Sequence, residues 1–472
     1  MKVSLVSLCP TDAAREAGRH ALTPELLAAT GARYSRNNEG LESIVSRIDP
    51  TRLDASVDSI FKMLDYGHQS IADMVPTAIF IDGVSMWMAY YLWSLAQVAG
   101  GQESSTRYIR ITPALLADAG VLGIPADLQA EWSAGMEAAF AHYNALENAW
   151  GAVADAQPAV MRLPKQLLAD DSEKAKKQIA RMRRNYAFDR ARYLLPAAVT
   201  TNVMLVMSAR AWASICQHLC SEPLAEANEL GERIREELKL GAPRLLRHSG
   251  ATEDIRSGLA DAFATRAAAA KSGLPEALAP ASTGPAADTA HVEIMAPEGV
   301  TGGEMAEALK YHVNRYAWQG SAIRRTAVRF AWEAVTFAEI RDLNRHRTGS
   351  KYSSLIPQGF YAAEDQIGAG DAFAGVSDAV AKAAEFGRAM SRRAHELLAA
   401  GNPCYVYWML LGTQLDFEHV TTADKFIYEA ELRTGTGSHY RYAKHLHDAL
   451  AAWYARFPET RGKVLEGSAE PE

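Results

Sequence analysis

Cysteine is scarce in this chain, and basic residues do not outnumber acidic ones. Four cysteines occur in 472 residues and none forms a CxxC pair, so we expect no disulfide framework and a reducing cytoplasm. Cys216 and Cys220 lie four residues apart without further ligands nearby, and we expect no metal site there. The formal net charge of −7 argues against a protein that coats nucleic acid or an anionic membrane.

A targeting segment and a clear membrane span are also lacking. The first ten residues carry one lysine and a short apolar stretch, which favours a first strand over a signal peptide. The uncharged segment 83–101 approaches the roughly 20 residues that cross a bilayer. Serines, Gln97 and glycines dilute its hydropathy, so of two interpretations, a membrane span and a buried helix, we favour the buried helix.

The composition divides the chain into two parts. The stretch 261–289 is rich in Ala, Pro, Ser and Gly, as is typical of an exposed linker. We predict an N-terminal domain at 1–262, a linker at 263–289 and a C-terminal domain at 290–472, each large enough for its own core. The predicted class is α/β, with a small sheet and long helices in each domain.

Both halves have the same predicted order of elements: a strand, helices, a strand that leads into a long helix, a polar loop and a helical tail. This order is a weak internal repeat, because the residue identities hardly match. Apolar periodicity predicts strands at 2–8, 77–82 and 291–296, helices at 22–30, 53–66, 126–155, 171–191, 203–240, 303–316, 375–400 and 421–453, and a strand-to-helix stretch at 323–343.

Two arginines and a histidine follow the long helix of the second half. Arg345, His346 and Arg347 precede a short polar run that ends at Ser350. Forked guanidinium donors beside small polar residues suit the binding of phosphate oxygens. Cations at a helix end also complement the helix dipole, so this segment alone leaves a solvated helix end as an equal alternative.

A second polar loop takes the corresponding place in the first half. It reads Gln102-Glu103-Ser104-Ser105-Thr106-Arg107-Tyr108 and follows a glycine pair. Glycines free backbone amides for close approach, a serine and an arginine donate hydrogen bonds, and a glutamate can fix a sugar hydroxyl. Such a loop can hold a nucleoside monophosphate, although an ordinary surface loop is the commoner interpretation.

Together the two loops resemble the flavin-dependent thymidylate synthase family, whose signature is RHRxxSxNExSxRY. Each half retains the end of the signature that the other half has lost. The second half supplies RHRxxS through Arg345, His346, Arg347 and Ser350, and the first half supplies a close match to NExSxRY through Gln102, Glu103, Ser105, Arg107 and Tyr108.

Two early elements of the first half extend the resemblance. Ala32-Arg33-Tyr34-Ser35 is similar to the ARxS element of the family, and Gly67-His68-Gln69-Ser70 is similar to its GHxS element. Asp73 stands where the family usually has Glu, and Met74 follows where the family has His. These departures put the native substrate in question.

Later elements are again divided between the halves. Ala191 to Pro196 is similar to the ARxxLP element and contains Arg192, and Ser208-Ala209-Arg210 is similar to the NAR element. Glu431-Leu432-Arg433 supplies the late LR pair of the family, for which the first half has Leu219 nearby.

The resemblance implies methylation of C5 of dUMP or a close pyrimidine nucleotide. Methylenetetrahydrofolate, a folate, would give the carbon, and FAD reduced by NADPH would give the hydride. By the same resemblance, Arg433 is the candidate catalytic residue. The nucleotide would be bound by Glu103, Ser105, Arg107, Arg192 and Arg345, and FAD by Ser35, His68, Arg210, His346, Arg347 and Ser350.

Family members assemble their sites between subunits of a homotetramer, so we expect the two halves to pack as a pseudo-dimer that associates into a homo-oligomer. If the two halves contribute to one pocket, motif residues that one half has lost can be supplied by the other half, and some pockets can remain complete. We expect the histidine-arginine triplet of the second half and the serine-arginine loop of the first half to share one cavity. Two alternatives remain open: flavin-dependent alkylation of another uridine nucleotide, and a non-catalytic binder of nucleotide or flavin.

Overall fold

Two compact units make up the protein. The structure, a computed structural model, describes residues 1–35, 40–49, 51–62, 70–96 and 99–468. Unit 1 comprises Met1–Ile109, Ala117–Ile124 and Val199–Ala264, and unit 2 comprises Arg110–Leu116, Pro125–Ala198 and Thr265–Glu472.

Strands and helices of the described residues are numbered in chain order. The strands are β1 (Lys2–Val6), β2 (Pro76–Ser85), β3 (Gly100–Glu103), β4 (Thr200–Ser208), β5 (Ala290–Met295), β6 (Ala327–Thr336), β7 (Ser350–Tyr352), β8 (Gly359–Phe360) and β9 (Thr413–Thr422). The α-helices are α1 (Asp12–Glu16), α2 (Pro24–Tyr34), α3 (Gly40–Ser46), α4 (Leu53–Phe61), α5 (Ser70–Asp73), α6 (Met86–Leu95), α7 (Gln129–Ala156), α8 (Lys165–Leu168), α9 (Glu173–Ala191), α10 (Ala209–Ser221), α11 (Ala225–Gly241), α12 (Glu253–Lys271), α13 (Gly302–Ala308), α14 (Ser321–Arg324), α15 (Phe337–Asn344), α16 (Ala374–Ala399), α17 (Ala423–Thr434) and α18 (Tyr440–Arg456).

Unit 1 contains an antiparallel sheet in the order β1-β2-β4-β3. Residues of β4 alternate between buried and less buried positions, as the period of two in a strand requires. A register shift between Asp82 and Val84 interrupts the pairing of β2 with β4. Small helices α2, α4 and α5 enclose an apolar cluster that includes Leu26, Phe61 and Val75.

Unit 2 contains a sheet in the order β5-β6-β9-β7, with β8 paired to the far part of β9. Its strand order therefore repeats that of unit 1. A register shift also interrupts the pairing of β6 with β9, between Trp332 and Val335. Aromatic residues, among them Phe330 and Trp453, fill its core.

The helices that follow the two inner strands begin at equivalent residues. Ser85 is the N-cap of α6 and Thr336 is the N-cap of α15, and each directly ends its strand. Ser208 and Thr422 have the same relation to α10 and α17. Pro76 pairs with Ser208 in the first sheet as Ala327 pairs with Thr422 in the second, so the two sheets can be aligned residue by residue.

The short third strands align as well. Gly100 pairs with Val206 and Ser350 pairs with Val420; both partners lie two residues before the N-cap of the next helix. Gly100 and Ser350 therefore occupy the same position in the two sheets. This is the position at which the family signature aligns the two polar loops.

In unit 2, long helices from both halves of the sequence pack together. α7 lies against α9 and against α16, and the Trp132 indole donates to the carbonyl of Tyr407 over 2.9 Å. The ends of these helices continue into two short segments that form an antiparallel ladder. Its hydrogen bonds are Ala197 N to Met409 O (2.9 Å), Leu411 N to Leu195 O (2.8 Å) and Gly412 N to Tyr193 O (2.7 Å).

The predicted class is confirmed: the fold is α/β, with two small antiparallel sheets and long helices. Segment 83–101 is partly strand and partly the short buried helix α6, and no helix among the described residues is long and apolar enough to cross a membrane. The helices predicted at 203–240 and 421–453 were wrong at their starts, because β4 and β9 occupy 200–208 and 413–422.

The compact units do not follow the predicted domain ranges throughout. Residues 125–198 of the first half lie in unit 2, because α7 and α9 pack with α16. The predicted linker 263–289 begins inside α12 and continues through a 3₁₀ turn at Glu276–Leu278. The assignment of two duplicated domains stays a prediction, supported by the repeated strand order.

Candidate functional site

The RHR segment lies where α15 ends. Thr336 and Glu339 form a reciprocal capping box that starts α15, and Arg345 is its C-cap residue. The chain then turns through Gly349, which has φ +68° and whose absent Cβ would collide with the carbonyl oxygen of Val420. Only glycine meets both conditions without strain, so this residue allows β7 to join β9 immediately after the arginines.

A cluster of five residues in unit 2, here called the Asp342 cluster, joins the two halves of the sequence. It consists of Asp342, Arg192, Arg345, Arg433 and Tyr442. The Asp342 carboxylate accepts hydrogen bonds from Arg345, from Arg192 Nη2 at 3.4 Å and from the Tyr442 hydroxyl at 3.0 Å. Its backbone carbonyl accepts one from Arg433 Nη2 at 2.9 Å. Motif residues that are about 150 to 240 positions apart thus meet around one carboxylate.

Asp342 is ionised in this setting. Burial by itself raises the pKa of a carboxyl group, but Arg345, Arg192 and Arg433 together hold the pKa of Asp342 far below its usual range. One carboxylate therefore faces three guanidiniums. The surplus positive charge suits an anionic ligand such as a phosphate or an ionised ring carbonyl.

Arg192 is held rigidly. It lies in the 3₁₀ turn after α9 and is only 4% exposed. Its Nη2 also donates to the carbonyl of Ala338 over 3.2 Å. Although burial lowers the pKa of a cation, Tyr442 and Asp342 keep the pKa of Arg192 above its usual value. A surface role for this arginine is thereby excluded.

His346 connects the triplet to Arg433. The Nε of Arg433 donates to His346 Nε2 over 2.8 Å, so this histidine is neutral and carries its proton on Nδ1. Burial, and Arg433 and other cations nearby, lower the pKa of His346 to about 3. Arg433 also lies over the Tyr442 ring, with its Cζ 5.3 Å from the ring centroid.

The remaining residues of the RHR segment are more exposed to solvent than His346. Arg347 and Ser350 are exposed, and partial burial together with neighbouring Arg345 lowers the pKa of Arg347. Lys351 donates to the carbonyls of His346 and Thr348. This lysine therefore fixes the backbone of the turn.

The serine-arginine loop belongs to unit 1. Glu103 ends β3 and is 9% exposed, and Ser105 and Arg107 follow in a turn, partly buried. The loop is tied to β4 because Ser104 N donates to the carbonyl of Asn202 over 2.9 Å. The sharing of one cavity with the triplet stays a prediction.

The remaining predicted flavin contacts of the first half also lie in unit 1 or outside the described residues. Ser35 is the C-cap of α2, and its hydroxyl donates to the carbonyl of Ala32 over 2.9 Å. Arg210 forms an ion pair with Asp73 at 2.8 Å. His68 lies outside the described residues.

No group of metal-ligand residues is found within the described ranges. Cys216 and Cys220 lie on α10, where burial raises the pKa of both thiols, that of Cys220 to about 11. Protonated thiols are poor ligands and poor nucleophiles. The absence of a metal site at these cysteines stays a prediction.

Sequence patterns did not single out Asp342, Tyr442, Glu429 or His419. Asp342 lies three residues before Arg345 on the same helical face, and this spacing was the available signal. Glu429 and His419 lie on different elements, and their approach to the triplet depends on the sheet register.

Comparison with known proteins gives one family match. The family model described as "Thy1: Thymidylate synthase complementing protein" matches residues 19–244, less than half of the chain. The resemblance inferred from the motifs is confirmed for this part of the chain. The match covers the serine-arginine loop and Arg192 of the family elements, whereas the RHR segment lies outside it.

A solved structure is similar over part of the chain. The UMP/dUMP methylase PolB from Streptomyces cacaoi, crystallised with 5-Br dUMP, has 16% sequence identity and a TM-score of 0.31, over 52% of this chain and 93% of that chain. A TM-score of this size supports no functional argument. No curated protein matches the chain.

Proposed function

We propose that this enzyme methylates C5 of dUMP or a closely related pyrimidine nucleotide, with methylenetetrahydrofolate as carbon donor and FAD, reduced by NADPH, as hydride carrier. The observation that carries the proposal is the Asp342 cluster. Arg192 comes from the family element of the first half, and Arg345 and Arg433 come from those of the second half, yet the three guanidiniums all donate to one residue, Asp342. The match of residues 19–244 to the thymidylate synthase family model supports the reaction type.

The cluster offers the charges that this reaction needs. Carbon 5 of uracil becomes nucleophilic when negative charge on the ring carbonyls is stabilised. Arg433 suits this task, because its Nε and Nη2 are fixed by His346 and by the Asp342 backbone. A preorganised guanidinium pays no reorganisation cost when the charge develops.

Nucleotide binding is assigned to two groups of residues. Arg192 and Arg345 are rigid cations that suit the phosphate and sugar, and Glu103, Ser105 and Arg107 form the predicted loop for the same ligand. Each group is assigned separately and can be tested separately by a single alanine substitution.

The residues around the RHR turn fit an anionic cofactor such as FAD. Arg345 lowers the pKa of Arg347, and an anion beside both would relieve this repulsion. His346, Arg347 and Ser350 would hold the cofactor here, with Ser35, His68 and Arg210 as the predicted contacts from the first half. When bound, the flavin supplies the hydride that completes the methyl group.

The experiment uses the purified full chain with FAD, NADPH, methylenetetrahydrofolate and either dUMP or UMP, and separates the nucleotide products by chromatography. We expect bound flavin in the absorption spectrum and formation of dTMP from dUMP. A chain that binds flavin and nucleotide but forms no methylated product contradicts the proposal. Methylation of UMP alone overturns the assignment of dUMP.

Arg433→Ala tests the catalytic assignment. Loss of one preorganised donor typically lowers kcat by about 100- to 1000-fold, and we expect a loss of that size with flavin content unchanged. Lys425→Ala is the matched control, because Lys425 is a half-exposed cation on the same helix, paired with Asp424. Equal activities of both variants would show that Arg433 has no special role.

A further inference from the structure

Two buried residues beside the Asp342 cluster have no part in the family elements. Glu429 on α17 is 1% exposed and His419 on β9 is fully buried. His419 Nδ1 lies 3.1 Å from Glu429 Oε2, and His346 Nε2 lies 3.8 Å from Glu429 Oε1. Glu429 thus lies between two histidines, one of which accepts from Arg433.

His419 turns its Nδ1 edge toward Glu429. His419 Nε2 contacts the carbonyl of Thr348 at 2.7 Å, so Nε2 carries a proton and donates. The Nδ1 edge of the ring then lies 3.1 Å from the Glu429 carboxyl group. Burial raises the pKa of Glu429, but His346, His419 and Arg433 lower it to about 2. Glu429 is therefore a carboxylate.

The same fold does not need these charges, because the first half lacks them. Counting from the N-caps Thr336 and Thr422 in unit 2, and from Ser85 and Ser208 in unit 1, gives the equivalent positions of the two sheets. Four polar residues of unit 2 each correspond to an apolar residue of unit 1: His419 to Leu205, Glu429 to Ile215, Arg433 to Leu219 and, counted back from Ser350 and Gly100, His346 to Ala96.

Burying a charged or polar group costs solvation, and apolar residues of similar volume at such sites are often neutral or stabilising. Leu205, Ile215 and Leu219 are indeed buried in unit 1. Glu429 and His419 occur in the unit that also holds the RHR triplet and Arg433. Their presence there points to a role in the site and not in the stability of the fold.

We propose that Glu429 and His419 are positioning residues that keep Arg433 at His346. Glu429, with His419 beside it, lies near the His346 Nε2 that accepts from Arg433, and its negative charge attracts the guanidinium to that place. Two of the three guanidinium nitrogens are thereby fixed, and Nη1 is presented to the substrate in one place. This inference rests on the proposed function for the role of Arg433, but the hydrogen bond from Arg433 to His346 can be measured without it.

The main test is the double substitution Glu429→Ile with His419→Leu, which copies the unit 1 residues. We expect an unchanged or raised Tm, nucleotide affinity within about threefold, and kcat lowered by about 100-fold, the loss that a 1 Å misplacement causes. A kcat within about twofold of the wild-type value overturns the proposal. If this variant does not fold, Glu429→Gln, which keeps the shape and removes the charge, takes its place with an expected loss in kcat of about tenfold.

A second readout reports on His346 itself. In ¹⁵N-histidine NMR spectra of the wild-type chain, His346 should appear as the neutral Nδ1–H tautomer, and in the double variant its signals should shift toward a mixture of tautomers. Unchanged signals overturn the proposal. If the wild-type chain makes no methylated nucleotide, the proposed function fails, while the tautomer shift still tests the positioning role.

The control is His312→Gln. Glu431 lies on the same helix as Glu429 and forms another buried pair at 2.7 Å with His312, which lies in the loop after α13. We expect a lower Tm and an unchanged kcat per folded chain. A loss of kcat equal to that of the double variant would mean that any disturbance of α17 has the same effect, which contradicts a specific role for Glu429 and His419.

Discussion

At the scale of single residues, the site is defined by which groups are charged. Asp342 and Glu429 are carboxylates, and His346 is neutral because Arg433 uses its Nε2 as an acceptor. These protonation states depend on one another, since each cation lowers the pKa of the acids beside it. A change of pH that protonates one of these groups therefore also changes the pKa values of its neighbours.

Stability should depend on pH through His346. Its pKa is lowered from 6.5 to about 3 in the folded chain, so between these pH values the unfolded state binds a proton that the folded state does not. By linkage, stability falls as pH decreases through this window. Urea unfolding at pH 7 and pH 5 should show that the wild type loses on the order of 1 kcal/mol per pH unit more than His346→Gln. Parallel losses would contradict the buried neutral histidine.

Sequence motifs predicted the arginines of the site better than their partners. Arg192, Arg345 and Arg433 were found because the family elements fix their order along the chain. Glu429 was not found, because a buried carboxylate is recognisable only once the surrounding cations are placed in space. Asp342 was not found either, although its position three residues before Arg345 was a signal; the same spacing is common on exposed helix surfaces.

At the scale of elements, the second half places its site through a tight turn between α15 and β7. Gly349 makes this turn possible, since its backbone is left-handed and the carbonyl of Val420 leaves no space for a Cβ. The strand that follows has only three residues, Ser350–Tyr352. A small displacement of the turn is therefore enough to unpair β7.

Gly349→Ala should release β7. Strain at such a position costs about 1–3 kcal/mol, and we expect faster hydrogen exchange at the amides of Ser350–Tyr352 together with weaker flavin binding. Gly375→Ala is the matched control: this glycine lies in α16 with open space around it. Helix propensity predicts a change within about 1 kcal/mol, in the stabilising direction. Equal effects of both substitutions would refute the role given to the turn.

Sequence periodicity predicted most helices but missed two central strands. β4 and β9 run directly into α10 and α17 without a glycine or proline between them. Their alternation was visible, since Val203, Leu205 and Met207 are buried in turn. The helix predicted at 203–240 extended backward over β4, whereas no element was predicted for most of β9, and strand pairing decided the structure.

At the scale of the whole chain, the two sheets have the same strand order and register, but different family residues belong to each unit. Unit 2 holds the triplet Arg345-His346-Arg347 and Arg433. The first half of the sequence has Leu95-Ala96-Gln97 and Leu219 at the corresponding positions, and unit 1 holds the serine-arginine loop. Composition predicted two parts and a break near 263–289. It could not predict that 125–198 joins unit 2, because that depends on packing between distant helices.

The distribution of the family residues between the two units predicts one nucleotide site per chain. Each set of family residues is present once, so calorimetric titration with dUMP should give one equivalent bound per chain. Arg345→Ala and Arg107→Ala should each weaken this binding without changing flavin content. A stoichiometry of two would mean that the apolar positions of unit 1 do not prevent a second site.

The ladder between Tyr193–Ala197 and Met409–Gly412 has a consequence for biosynthesis. Domains generally fold in the order in which they leave the ribosome. All residues of unit 1 have been made by position 264, whereas α7 and α9 must wait until α16 and the segment after it emerge, some 200 residues later. During this interval their apolar surfaces lack the partner strand and helix, which makes this stretch the natural client of a chaperone during translation.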